Sequence, residues 1–441
     1  MINSTLLKNY NIAEPSFIRN PIVPYLENAK ITQSSWIKAV LKTHHNYKNE
    51  GISLYIQHPI CENVVACEDD IMQNQAMVQA YLKALIKEWK MYVKILGEMP
   101  KINKIHFGGQ AFAFFNPKNL DQLLKGILLN ATLVSDAAIS FKAHPANTTM
   151  AHLEVLHKFG FKRLDLGVRE LNSSGQLLNN HQSLLLHVAE ITNAARTIGY
   201  NFINFELPYG LPGQSISGLT NTIIKAVRLQ PDQIFFNPYD HVSWIKRSQS
   251  QYEEKNIPIG DEKFALYQLG KVLLQESGYK DIGMSHFVAK DRSSQTIINQ
   301  KSQRSFVEYT NQLTHSRIGL GVSAISDSWG AFAKNPKTTE VYFGKIAKGI
   351  LPFINGHLLN QRDIGIRKHI FNIVCEEKTL YNDGIPEEVY CRLLPLIRNR
   401  LISITEKEIK VNTKGKFFIG NICMALDEKL WLKNQESELL V

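Results

Sequence analysis

The chain has 441 residues, enough for two or three domains or for one large barrel with additions. Hydrophobic residues make up 44% and charged residues 20%, ordinary globular usage that excludes a disordered or collagen-like chain. Lys plus Arg is 50 and Asp plus Glu is 40, a net charge of +10. The basic residues are scattered, whereas a nucleic-acid binder concentrates them in one stripe, so nucleic acid is not an expected partner.

From residue 51 short β-rich runs alternate with amphipathic helical stretches. The runs are GISLYIQ (51–57), KIHFGG (104–109), AAISFKA (137–143), KRLDLGV (162–168), FINFELPYG (202–210) and QIFFNPY (233–239). Residues 73–97 carry Leu82, Leu85, Trp89, Tyr92 and Leu96 at helical spacing. The same period recurs over 117–129, 149–160, 181–199 and 215–229, with Thr149 as an N-cap and Gly160 as a stop. Six strand–helix alternations predict parallel strands with right-handed crossovers. An open doubly wound sheet and a full or partial barrel both fit.

Beyond residue 240 a helix is expected over 261–278 and a strand with an irregular loop over 278–291. A long surface loop or lid is expected over 292–316 and a Gly/Ser-rich loop over 319–330. The tail from about 338 reads as mostly helical, then as a hairpin followed by a helix, a winged-helix-like pattern. Such a tail packs against the main domain more often than it binds DNA.

Ligands of parallel α/β folds sit at the carboxyl ends of the strands. Those ends read QHPIC (57–61), GGQAF (108–112), KAHPAN (142–147), RELN (169–172), LPYGLPG (207–213) and NPYDH (237–241). Six ordinary turns would also read this way. The placement of Lys142, His144, Arg169, Glu206 and Asp240 favours a site.

No apolar run reaches the roughly 20 residues of a membrane span. The start MINSTLLKNYNIAEPSF lacks the basic and apolar segments of a secretory signal, so the cytoplasm is the expected compartment. The five cysteines are Cys61, Cys67, Cys375, Cys391 and Cys423, too sparse for a disulfide framework. The last three are expected to be buried apolar fillers.

Ordered blocks along nearly the whole chain resemble the oxygen-independent coproporphyrinogen III oxidase family of radical S-adenosylmethionine (SAM) enzymes. They include NYNIAEPSFIRNPIVPYL, SLYIQHPIC, HFGG, HPANTT, GFKRLDLGV, YGLPGQ, GMSHFVAKD, GLGVSAISDS and NICMALD. The resemblance implies an N-terminal arm over 1–50, a partial β/α barrel over 51–335 and a mostly helical, winged-helix-like C-terminal domain over 336–441. It also implies a 4Fe–4S cluster held by C-x-x-x-C-x-x-C, with SAM on the open iron.

The motif is altered here. Cys61 matches the first ligand position; Val65 and Glu68 stand at the second and third, Asp70 at the extra one, and Cys67 lies one residue out of register. Valine cannot ligate iron, and carboxylates are hard ligands for a sulfide cluster. Of the family's SAM positions, Tyr55, Gly109 and Ile325 match. Gln110 replaces a glycine, Lys142 an acidic residue, Arg169 a glutamine, His181 an arginine, Glu206 an aspartate and Asp240 an alanine. Ser285 replaces an aspartate beside His286 and Phe287.

The expectation from these changes is a degenerate relative without cluster or SAM, binding a porphyrin, haem or related anion. Lys142 and Arg169 would form an anion-binding rim, or else pair with Glu170, Glu206 or Asp240. His58, His106, His144, His181, His241 and His286 are candidate axial ligands, each also readable as a structural histidine. Two alternatives stay open: an active oxidase with an atypical cluster, and a non-catalytic regulator of an active paralogue.

Overall fold

The computed structural model describes residues 30–58, 75–107, 115–143, 145, 147–168, 181–211, 213–239, 257–258, 260–283, 285–290, 303–304, 309–310 and 314–432. Helix α1 (Gln33–Asn46) opens them, capped by Thr32, whose side chain accepts from the Ser35 amide. Six strand–helix units follow. The strands are β1 (Ile52–Ile56), β2 (Lys101–Phe107), β3 (Thr132–Ala143), β4 (Arg163–Gly167), β5 (Phe202–Tyr209) and β6 (Gln233–Pro238). The helices are α2 (Gln75–Leu96), α3 (Pro117–Leu128), α4 (Met150–Lys158), α5 (His181–Ile198), α6 (Ile216–Arg228) and α7 (Gly260–Glu276).

Strands β1 to β6 lie side by side in sequence order and all pair in parallel. This is the partial barrel that the alternation allowed. The period-2 pattern sets the two faces. Leu54, Ile56, Ile105, Phe107, Phe141, Leu164, Leu166, Ile203, Phe205, Ile234 and Phe236 point outward and are buried under the helices. Fully burying each such side chain stabilises the fold by about 1.5–3 kcal/mol. The intervening residues are polar: Ser53, Tyr55, Lys104, His106, Ser140, Lys142, Arg163, Asp165, Asn204 and Glu206 line the inner face.

Helix α4 shows how local chemistry sets an element's ends. Thr149 and His152 form a reciprocal capping box, and Gly160, at φ +89°, lets the chain leave the helix. In α2 the apolar stripe behaves as its spacing predicts. Leu82, Leu85, Trp89, Tyr92 and Leu96 are all buried, and the Trp89 indole donates to the Ile127 carbonyl at 3.1 Å.

Three segments depart from the sequence reading. Residues 278–291 contain an antiparallel pair, β7 (Tyr279–Gly283) and β8 (His286–Ala289), with Ser285 at φ +62° between them. Strand β8 pairs with β6, and β7 lies outside it at the edge of the sheet. Short strands β9 (Gln303–Arg304) and β10 (Tyr309–Thr310) lie within the segment expected as a lid. The expected Gly/Ser loop over 319–330 is mostly strand. Strand β11 (Ser316–Leu320) lies parallel to β1 as a seventh parallel strand. It is followed by the antiparallel β12 (Ile325–Ser328), β13 (Ala331–Lys334) and β14 (Asn355–Leu358). The small residues are there for packing: a Cβ on Gly319 would sit 2.6 Å from the Ile325 carbonyl oxygen.

The tail runs α8 (Thr339–Ala347), β14, α9 (Gln361–Glu376), β15 (Lys378–Leu380), α10 (Glu387–Arg398), β16 (Ile402–Ile404), β17 (Glu408–Val411) and α11 (Ile419–Leu426). Strands β15, β17 and β16 form a small antiparallel sheet. Residues from Ile370 to Leu430 build a second core, separate from the barrel core. Of the three late cysteines only Cys423 is buried; Cys375 is half-buried and Cys391 is exposed on α10. The filler reading therefore fails for Cys391, whose position turns it to solvent. No helix among the described residues is long and apolar enough to cross a membrane.

Candidate functional site

The inner face of the barrel brings together side chains from five neighbouring strands. Toward the carboxyl ends, Lys142 of β3 forms an ion pair with Glu206 of β5. Strand β4 lies between them, and Gly167 there pairs with Glu206 in register. The lysine passes over that residue, with its Cε 4.0 Å from where a Cβ on Gly167 would be. A larger side chain at 167 would stand in its path. Lys142 thus pairs with Glu206, one of its expected acidic partners.

Tyr55 lies on β1 with its ring stacked on His106 at 5.3 Å between centroids. Burial pushes the Tyr55 hydroxyl up, with Arg317 opposing. His106 hydrogen-bonds Ser140 Oγ through Nδ1 at 3.2 Å. Burial, then the charges of Lys104, Lys142 and Arg317, push its imidazole down to about 3, so it stays neutral in neutral solution. Ile325 opens β12 and packs with Phe332 and Leu359.

Gly109, Gln110, Arg169 and Asp240 lie outside the described residues, as do Cys61, Val65, Cys67, Glu68 and Asp70. His144 and His241 lie outside them too. His181 begins α5. His58 is buried just past β1. His286 is buried, stacks on Phe235 at 4.5 Å and meets Gln233 at 2.7 Å, the setting of a structural histidine.

Four charged residues escaped the sequence reading: Lys104 on β2, Arg163 and Asp165 on β4, and Arg317 on β11. Burial, then the charges of Arg163 and Arg317, push the Lys104 ammonium down to about 7, against the pull of Asp165. Burial raises the Asp165 carboxyl, while Arg163 and a 2.9 Å hydrogen bond from Asn204 favour its charged form. The missed signal was strict alternation. In KIHF the Lys and His fall on the opposite face from Ile105 and Phe107, which is where a barrel strand keeps its functional groups.

Among the described residues no group of three or more His, Cys, Asp or Glu side chains could hold a metal ion. In the whole sequence Cys61 and Cys67 are the two thiols near the motif, and Val65 and Glu68 bring none. That donor set does not fit a three-thiolate cluster site, so no chemical step is derived through one.

No family model matches the chain. Curated relatives do. The chain is 27% identical over 442 residues to an oxygen-independent coproporphyrinogen III oxidase of Escherichia coli K12, covering 96% of this chain and 95% of that one. It is 26% identical to the enzyme of the same name from Synechocystis, covering 98% and 96%. A solved structure, coproporphyrinogen III oxidase (HemN) from Escherichia coli, superposes with a TM-score of 0.82 at 27% identity, over 97% of this chain and 99% of that one. That protein is described as a radical SAM enzyme. This corrects the expectation that the present chain works without cofactors, because the solved structure it matches over nearly its full length is a radical SAM enzyme. Along nearly its whole length and in the architecture of its barrel and tail, the chain is similar to the oxygen-independent coproporphyrinogen III oxidases.

Proposed function

We propose that this chain binds a tetrapyrrole of the coproporphyrinogen class at the carboxyl ends of β1–β6, through the ligand's propionates. The observation that carries this reading is the extent of the likeness: both the barrel and the tail of a coproporphyrinogen III oxidase are matched. An inner face rich in Lys and Arg supports it, since carboxylates bind such groups by charge-assisted hydrogen bonds. The altered positions Lys142, Gln110, Arg169, His181 and Asp240 belong to this proposed site, with Tyr55, Gly109, Glu206 and Ile325 as its family-like residues.

Two roles for the bound tetrapyrrole follow from different observations. Near-complete superposition favours the family's oxidation. The Lys142–Glu206 pair favours a carrier role, because it spends on each other two side chains that would otherwise meet a ligand. Titration with coproporphyrin under reducing, anaerobic conditions tests the shared claim: a saturable shift of the porphyrin absorption band is expected, and its absence sinks the reading. Anaerobic reconstitution followed by iron, sulfide and product analysis then separates the roles. Product with stoichiometric iron and sulfide means oxidase; saturable binding without product means carrier.

A further inference from the structure

The Lys142–Glu206 pair stands where a ligand from solution can reach it. Both residues lie toward the carboxyl ends of their strands, and their side chains are 39% and 24% exposed. In register, Lys142 pairs with Asp165 of β4, while Glu206 pairs with Gly167, two residues further along the same strand. The lysine therefore does not settle on its direct neighbour. Asp165 already receives Asn204 at 2.9 Å, and its carboxyl feels Arg163 more strongly than Lys142. The ammonium instead crosses β4 at Gly167, which has no side chain to bar it, and meets Glu206.

An ion pair this open to water contributes little net stability and is readily exchanged. An incoming carboxylate can replace Glu206 without changing the number of ion pairs. Lys142 keeps one anionic partner throughout, and the charge-assisted hydrogen bonds it makes to either carboxylate are of the same kind. Glu206, released at a position already in contact with water, regains its hydration. A neutral ligand cannot drive this exchange, because it offers the ammonium no charge in return.

We propose that Glu206 is an internal stand-in for a ligand carboxylate: it holds Lys142 until a propionate of the tetrapyrrole takes its place. This inference rests on the tetrapyrrole reading and applies to either role of the bound ligand. Glu206 then acts as an intramolecular competitor that lowers affinity and selects for ligands bearing a carboxylate at this point. Lys142 is the anchor that the two carboxylates share.

Zero-length carbodiimide coupling of the full, unmodified chain tests the exchange, because the reagent joins a carboxylate to an amine in contact with it. Mass spectrometry of the protein alone should find an amide between Lys142 and Glu206. With coproporphyrin at about ten times its Kd, under reducing, anaerobic conditions, that link should fall by about tenfold, and an amide between Lys142 and a propionate should replace it. A protein that forms no Lys142–Glu206 link on its own overturns the proposal. So does a link that persists undiminished once the porphyrin band has stopped shifting; the tetrapyrrole reading then stands without the exchange. A chain that never gives a saturable band shift sinks the tetrapyrrole reading itself, and the exchange with it. Variants supply a second test. Glu206→Gln should bind coproporphyrin about threefold more tightly or better, and Lys142→Met should bind it more weakly. In the Lys142→Met background Glu206→Gln should bring no gain, since the contested ammonium is gone. An equal gain in both backgrounds would reduce Glu206 to simple charge repulsion and overturn the proposal.

Discussion

Glu88 shows what a single residue can carry. It sits on the apolar face of α2 among Leu85, Trp89 and Tyr92, and it is fully buried. Its carboxylate accepts from the Gly321 amide at 2.9 Å, Asn335 Nδ2 at 2.8 Å and Tyr342 Oη at 2.6 Å. These bonds tie α2 to the turn after β11 and to α8. Burial raises the carboxyl from its ordinary 4.5 to about 7, and the three donors limit the rise. Below 4.5 the group is protonated in both the folded and the unfolded chain. Between 4.5 and 7 the unfolded chain ionises first, so the contribution of this raised value is lost as pH rises, by about 3 kcal/mol across the window. Comparing urea unfolding of the wild type and Glu88→Gln from pH 4.5 to 7.5 should show the wild type losing stability relative to the variant as pH increases. A pH-independent difference would mean that Glu88 does not titrate there. Only the helical stripe is legible in the sequence. That a carboxylate could sit in it depends on donors from residues more than 230 positions away.

At the scale of elements, the β11–β12 connection shows how strand and turn are decided by neighbours. Gly321 has φ +100°, and a Cβ there would lie 2.3 Å from the Gln57 carbonyl oxygen and 2.4 Å from Tyr81 Oη. Tyr81 Oη donates to that carbonyl and accepts from the Val322 amide, both at 2.8 Å. Gly321→Ala should therefore destabilise the fold by more than about 2 kcal/mol in chemical denaturation. Gly344, in α8, has open space around it and no positive φ. Gly344→Ala should instead be neutral or stabilise by up to about 1 kcal/mol. Equal effects at the two positions would contradict this account. The Gly/Ser composition of 319–330 suggested a loop because those residues usually punctuate chains. Here the small side chains let strands approach closely, and parallel pairing with β1 overrides the local preference.

At the scale of the whole molecule, Arg367 of α9 links the tail to the barrel sheet. Its guanidinium donates to Asp327 Oδ1 at 2.9 Å and Oδ2 at 2.7 Å, and to the Trp329 carbonyl at 2.8 Å. It also lies 4.4 Å from the Trp329 ring centroid. Both partners are largely buried, with side chains 10% and 16% exposed. Removing one partner strands the other charge. Arg367→Met should thus cost about 3–5 kcal/mol, and Arg367→Met with Asp327→Leu should recover a large part of it. Thermal unfolding followed by tryptophan fluorescence measures both; an additive double variant would show that the two residues are not coupled.

The six alternating runs, the α2 stripe and the Thr149 cap were written in the sequence because each rests on local periodicity or on neighbours within a few residues. So was the family, whose motifs are short ordered blocks. The pairing of Lys142 with Glu206 was not: Glu170, Glu206 and Asp240 were all candidate partners at the strand ends, and the order β3–β4–β5 with glycine at 167 brings Glu206 to it. The joining of Lys104, Arg163 and Arg317 was decided by tertiary structure alone. Their strands are distant along the chain, and their charges become neighbours only when strand pairing turns them toward the same face.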